Sequence, residues 1–210
     1  MNQVENKVAE KLLSIHAVKV QPKDPFTWAS GWKSPIYCDN RKTLAYPEIR
    51  GLIKTELANI VREKYAGADV IAGVATGAIA QGALVAELLG KPFIYVRSAP
   101  KDHGMGNLIE GDLKAGQKVV VIEDLISTGG SSLKAVAALR EAGAEVMGMV
   151  AIFTYGFPVA SDKFAEANVQ LTTLSNYNAV LQHLLDTKQI GEVEMEALKK
   201  WREAPEVWGK

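Results

Sequence analysis

Cysteine is almost absent from this chain: Cys38 is the only one, which excludes an internal disulfide and a cysteine-based zinc site. Net charge is absent too, with 24 basic side chains balanced by 24 acidic ones. A broad grip on nucleic acid needs an excess of Lys and Arg along one face, so that class of partner is not expected. No apolar run approaches the ~20 residues that cross a bilayer, and the polar stretch 1–10 lacks the apolar centre of a signal peptide. No membrane association and a cytoplasmic location are therefore expected. The chain has neither a G-x-x-x-x-G-K-[ST] phosphate loop nor a G-x-G-x-x-G dinucleotide turn. Internal repeats, linkers and low-complexity tracts are missing as well.

What is present suits one compact domain: 210 residues, 48% of them apolar. Residues 3–15 repeat apolar side chains at Val4, Val8, Leu12 and Ile15, the spacing of an amphipathic helix. Residues 18–40 read as short extended pieces broken by Pro22, Pro25, Gly31 and Pro35, and Pro47 then opens a helix to about Tyr65. From residue 69 strands and helices alternate. Apolar runs occur at 70–74, 93–96, 119–122, 146–153 and 169–174, with helical stretches at 77–89, 131–142 and 158–167. Gly90 and Gly143 stop the first two helices. Strands that are apolar throughout are buried on both faces, which predicts an α/β fold with a Rossmann-like parallel sheet flanked by helices. Two further helices, about 176–187 and 192–203, close the chain.

The most informative stretch is Val119-Val120-Val121-Ile122-Glu123-Asp124-Leu125-Ile126-Ser127-Thr128-Gly129-Gly130-Ser131. A buried strand ends in two adjacent carboxylates, then the chain runs into small and hydroxyl residues where a helix begins. In an open parallel sheet, ligands bind beyond the carboxyl ends of the strands. A helix start offers unpaired N–H groups and partial positive charge, which suit a phosphate. Gly129 and Gly130 admit a close approach, and Ser127, Thr128 and Ser131 add hydroxyl donors. Carboxylates beside a phosphate cradle repel it unless they engage something else. Vicinal ribose hydroxyls donate well to Glu123 and Asp124, so a sugar carrying both hydroxyls and a 5-phosphate satisfies every group. An ordinary strand-to-helix turn with surface acids is the plain alternative.

Between Val96 and Val119 lie 22 residues without helical pattern, too long for a casual connection. Arg97, Lys101 and His103 supply cationic or hydrogen-bonding tips there, and glycines supply hinges. Such a loop fits an anionic leaving group and a lid that excludes water. His16 and His183 fall in helical stretches and are given no chemical role.

These residues resemble the type I phosphoribosyltransferases, whose signature is a hydrophobic strand, two acids and a Thr/Gly-rich turn. Two stretches narrow the resemblance to the orotate phosphoribosyltransferases. Ser30-Gly31-Trp32-Lys33-Ser34-Pro35-Ile36-Tyr37-Cys38-Asp39-Asn40-Arg41 is similar to that family's S-G-x-x-S-P-x-Y-x-D-x-R segment, and Arg97, Lys101, Asp102, His103, Gly104, Gly106 and Asn107 follow its loop pattern. The likeness extends from about residue 5 to 203.

The resemblance implies a single phosphoribosyltransferase domain over 1–210, with a hood mainly at 18–42, a core at about 45–175 and C-terminal helices at 176–203. It implies transfer of the phosphoribosyl group of 5-phosphoribosyl 1-diphosphate (PRPP) to orotate, giving orotidine 5'-monophosphate and pyrophosphate. Magnesium is implied, held mainly through PRPP with no direct protein ligand. So is a homodimer in which each loop reaches the partner's site. Carried over by position, Lys101, His103 and Asp124 are catalytic. Arg97, Lys101 and His103 hold the pyrophosphate end, Glu123, Asp124, Leu125, Ile126, Ser127, Thr128, Gly129, Gly130 and Ser131 hold PRPP, and Ser127 and Tyr37 lie near orotate, with Arg41 nearby. Ser98, Gly77 and Ala29 stand where some members carry lysines. A purine phosphoribosyltransferase or a non-catalytic sensor of the sugar diphosphate are the rival readings. The loop's Lys101 and His103 argue against the sensor.

Overall fold

A computed structural model of the chain describes residues 3–28, 31–99, 108–206 and 208. Its centre is a six-stranded sheet of β5 (Val70–Val74), β6 (Phe93–Val96), β7 (Ile109–Glu110), β8 (Lys118–Ile126), β9 (Glu145–Thr154) and β10 (Leu171–Asn176). Their spatial order is β10-β9-β8-β5-β6-β7, and every pairing is parallel except that of β7 with β6. Successive side chains of a strand point to opposite faces, and the core divides accordingly. Ile71, Val120, Ile122, Val150 and Ile152 pack under helices α1 (Gln3–Ser14), α2 (Pro47–Lys64) and α3 (Ile79–Leu89), with α6 (Tyr177–Asp186) and α7 (Glu192–Glu203). Val70, Ala72, Val119, Val121, Met149 and Ala151 pack under α4 (Gly130–Glu141) and α5 (Pro158–Glu166).

The alternation expected from the sequence is observed, with local differences. The third run is longer than expected: β8 passes through Glu123 and Asp124 to Ile126, paired with β9 as far as Thr154. The acids therefore lie within the strand rather than at its end. The helix expected from residue 77 begins at Ile79, because the Thr76–Gly77 turn intervenes. The last strand starts at Leu171 rather than 169, since Asn168 adopts φ 51° in the turn leaving α5. A short strand, β7, sits within the segment read as irregular, where it covers the edge of β6. Gly90, with φ 62°, caps α3, and Gly143, with φ 84°, follows α4 as expected.

The N-terminal pieces form two small ladders. Strand β1 (Val18–Val20) pairs antiparallel with β4 (Ile36–Cys38), and β2 (Phe26–Thr27) forms a hairpin with β3 (Lys33–Ser34). An aromatic cluster fastens this hood to the body. Trp28 lies 5.1 Å from the Tyr155 ring and 5.8 Å from the Trp201 ring. Trp201, fully buried on α7, donates its indole N–H to the Lys33 carbonyl at 3.2 Å. Tyr177 on α6 closes the back of the cluster through a 3.0 Å bond to the Leu198 carbonyl.

The chain runs from β5 to β6 on one side and then returns to β8 on the other side of β5. That reversal is a topological switch point, and loops leaving adjacent strands there diverge and open a crevice.

Candidate active site

At the switch point a cleft of about 530 Å³ lies beyond the carboxyl ends of β5 and β8. One wall is the turn 123–131 and the other is 74–77, with Cys38, Asp39 and Arg41 of the hood completing it. Helix α4 enters from Gly129, which takes the left-handed conformation (φ 77°) and receives no side-chain cap. The first N–H groups of the helix therefore face the cleft without a protein side chain over them, the arrangement that accepts an anion.

The two acids differ sharply. Glu123 shares the sheet face of Val121 and is 4% exposed, with one oxygen 2.7 Å from the Ser132 hydroxyl that donates to it. Its other oxygen accepts the Asp124 N–H at 2.9 Å. Burial, and then the charge of Asp124, push its carboxyl from 4.5 up to about 8. Asp124 turns to the opposite side and lays its carboxylate against the Cα of Gly77; a Cβ on that glycine would collide with all three carboxylate atoms. Any side chain at 77 would therefore displace the Asp124 carboxylate from this place. Neither acid joins an ion pair among the described residues.

A second, more apolar pocket of about 310 Å³ lies beside the first and shares Cys38, Leu125 and Ser127 with it. Thr27, Trp28, Tyr37 and Tyr155 form its remaining walls, so the hood and the end of β9 enclose it together. The Cys38 thiol is held well above its ordinary value, first by burial and then by the charge of Asp124, and it donates to Asn40 Oδ1 at 3.4 Å.

The structure brings together Asp124, Leu125, Ser127, Thr128, Gly129, Gly130 and Ser131, with Glu123 at the edge. Ile126 is not with them: its side chain is fully buried in the core, and only its backbone belongs to the turn. Arg97 is outside the cleft walls, 3.6 Å from Glu110 on β7, whereas its neighbour Ser98 does line the cleft. Tyr37 faces the smaller pocket. Lys101 and His103 lie outside the described residues, as does Ala29. Sequence reasoning passed over Ser132, Asn40, Trp28 and Tyr155. Ser132 had a signal, lying one turn into a helix whose start had been found. The others gain their place only from long-range packing.

A model of the phosphoribosyl transferase domain matches residues 43–182. The orotate phosphoribosyltransferase of Phocaeicola vulgatus is 64% identical over 208 residues, covering 99% of this chain and 98% of its own. The chain belongs to the orotate phosphoribosyltransferase family. Its counterpart in Porphyromonas gingivalis is 61% identical over 202 residues, 96% of each chain. Among solved structures, the orotate phosphoribosyltransferase of Aeropyrum pernix superposes with a TM-score of 0.73 at 29% identity, over 88% of this chain and 99% of that one. Family members thus share the mostly parallel sheet that positions the cleft.

Proposed function

We propose that this protein transfers the phosphoribosyl group of PRPP to orotate, giving orotidine 5'-monophosphate and pyrophosphate in pyrimidine nucleotide synthesis in the cytoplasm. The observation that carries the reading is the pair of neighbouring cavities that share Cys38, Leu125 and Ser127. The polar cleft combines an uncapped helix start with a carboxylate, as a ribose 5-phosphate requires, and the smaller pocket beside it has the aromatic walls that suit a flat base.

In this reading the backbone from Ser127 to Ser131 wraps the 5-phosphate, with the hydroxyls of Ser127, Thr128 and Ser131 donating. Ile126 and Leu125 contribute through the chain path that delivers this turn. Asp124 accepts from the ribose hydroxyls, and Glu123 supports it from the edge of the cleft by accepting the Asp124 N–H. Orotate occupies the smaller pocket, beside Tyr37 and Ser127. Breaking the bond from C1 to pyrophosphate leaves positive charge on the sugar ring and negative charge on the departing group. Asp124 sets its charge near the ring, while Lys101, assisted by Arg97 and His103, meets the charge on the leaving group. The base nitrogen attacks from a position already fixed by its pocket.

Magnesium belongs to the same reading. The oxygen donors of the cleft, Asp124 and the serine and threonine hydroxyls, fit a hard cation that keeps waters and substrate oxygens in its shell. Among the described residues no group of three His, Cys, Asp or Glu side chains comes together, and the ion would be carried by PRPP with Asp124 as its nearest carboxylate. When bound, it supplies charge neutralisation for the diphosphate.

The working unit is a homodimer, each catalytic loop reaching the partner's site. A mostly apolar groove of Leu44, Ala80, Ala83 and Leu84, flanked by Arg50 and Glu87, with exposed Leu88 one turn further along α3, supports a copy docking there. No helix among the described residues is long and apolar enough to cross a membrane. The test is loss of orotate absorbance on mixing with PRPP and magnesium. Consumption of adenine or hypoxanthine with orotate untouched overturns the assignment.

A further inference from the structure

The amide and carbonyl of Asp124 are met by side chains. Pairing of β8 with β5 stops at Ile122 opposite Gly73, two residues before it. Two side chains take the place of the missing strand. Glu123 Oε1 accepts the Asp124 N–H at 2.9 Å, and Asn40 Nδ2 donates to the Asp124 carbonyl at 2.6 Å.

Asn40 comes from the 3-10 turn Asn40–Ala45 at the base of the hood, 84 residues away in sequence, and is 2% exposed. Its own position is fixed on three sides. Its Oδ1 accepts from the Cys38 thiol at 3.4 Å, and its carbonyl accepts from the buried Thr43 hydroxyl at 2.6 Å. That hydroxyl in turn accepts from Gln81 Nε2 at 3.3 Å, on the first turn of the helix that follows the Thr76–Gly77 turn. One buried chain of hydrogen bonds thereby ties the hood to both walls of the cleft.

We propose that Asn40 is a positioning residue for the transfer reaction, clamping the Asp124 peptide so that its carboxylate stays against Gly77 and faces the ribose. This rests on the assignment of Asp124 to the ribose made above. Asn40 is bonded through its amide N–H, its Oδ1 and its carbonyl, whereas Gln81 Oε1 at the far end of the chain has no partner among the described residues; removing the Asn40 amide leaves the Asp124 carbonyl without its donor and frees the strand tip.

The test is a double-mutant cycle on the full chain, with steady-state kinetics for PRPP and orotate and a thermal melt for each protein. Asn40→Ala is expected to lower kcat/KM for PRPP about 10²-fold, the loss that accompanies ~1 Å misplacement of a reacting group. The KM for orotate should stay close to wild type. Since Asn40 acts through Asp124, Asn40→Ala combined with Asp124→Asn should be no slower than Asp124→Asn alone. Multiplying losses in the double variant overturn the proposal while leaving the ribose assignment standing. Wild-type kinetics for Asp124→Asn overturn both. If Asn40→Ala does not fold, the same cycle is read with Asn40→Ser. If that too fails to fold, the residue is structural and the proposal is wrong.

Discussion

Glu123 is a buried acid held protonated to about pH 8 by its surroundings, whereas its ordinary value is 4.5. The folded protein therefore binds one more proton at this position than the unfolded chain does between those two values. Linkage then sets the sign: the stabilisation is complete below about pH 4.5, is lost as pH rises towards 8, and changes no further above that. Each pH unit inside the window is worth ~1.4 kcal/mol at most, so the whole effect is a few kcal/mol, a large share of a domain's stability. Asp124 is the charged neighbour that sharpens it, and the Ser132 hydroxyl is the group that softens it. Glu123→Gln keeps the shape and cannot ionise, and its amide can donate to the Ser132 oxygen. Denaturant unfolding of both proteins from pH 5 to pH 9 is the assay. The stability of the Gln variant relative to wild type should climb through the window and level off near pH 8. A difference that stays constant with pH, or that falls as pH rises, refutes the argument, because it would mean that Glu123 is already ionised where it is buried.

Gly77→Ala drives a Cβ into the Asp124 carboxylate; turnover should fall about 10²-fold with a nearly unchanged melting temperature, and wild-type kcat/KM would show that the carboxylate's place is unimportant. Lys101→Ala should lower kcat by orders of magnitude with little change in either KM, as expected for a group that acts on the leaving pyrophosphate; an unaltered rate removes Lys101 from the chemistry. Trp201→Ala empties the centre of the aromatic cluster and leaves the Lys33 carbonyl without its donor, so chemical denaturation should show a loss of about 3–5 kcal/mol. A loss below ~1 kcal/mol would mean that the hood is not held by this cluster.

Much of the architecture was legible because its causes are local. Runs such as Val70–Val74 are apolar at every position and can only be strands covered on both sides, and Pro47, Pro158, Gly90 and Gly143 punctuate the helices. The turn that lines the cleft was legible for the same reason, being a contiguous stretch that leads straight into α4. What stayed hidden depends on residues far apart. Nothing near Asn40 announces that its amide meets residue 124, and nothing near Tyr155 or Trp28 shows that they share a pocket. Arg97 was read by its charge and its place in the loop pattern; its partner Glu110 became visible only once β7 folded back along β6.

The acid pair shows how one boundary alters a chemical conclusion. If the strand ends at Ile122, the two carboxylates that follow are free to point together at one ligand. The strand in fact continues to Ile126, and alternation then applies to the acids as it does to the valines before them. Glu123 inherits the face of Val121, under α4, where Ser132 meets it; Asp124 inherits the face of Ile122 and emerges beside Gly77 and the hood. Adjacent residues of the same chemical type thereby acquire different states: one neutral and internal at pH 7, the other at the cleft wall. The neutral form of Glu123 also lessens the negative charge beside the uncapped start of α4, where two ionised acids would repel an anion. Under the proposed function, burial of the first acid is thus what lets the second stand next to the 5-phosphate.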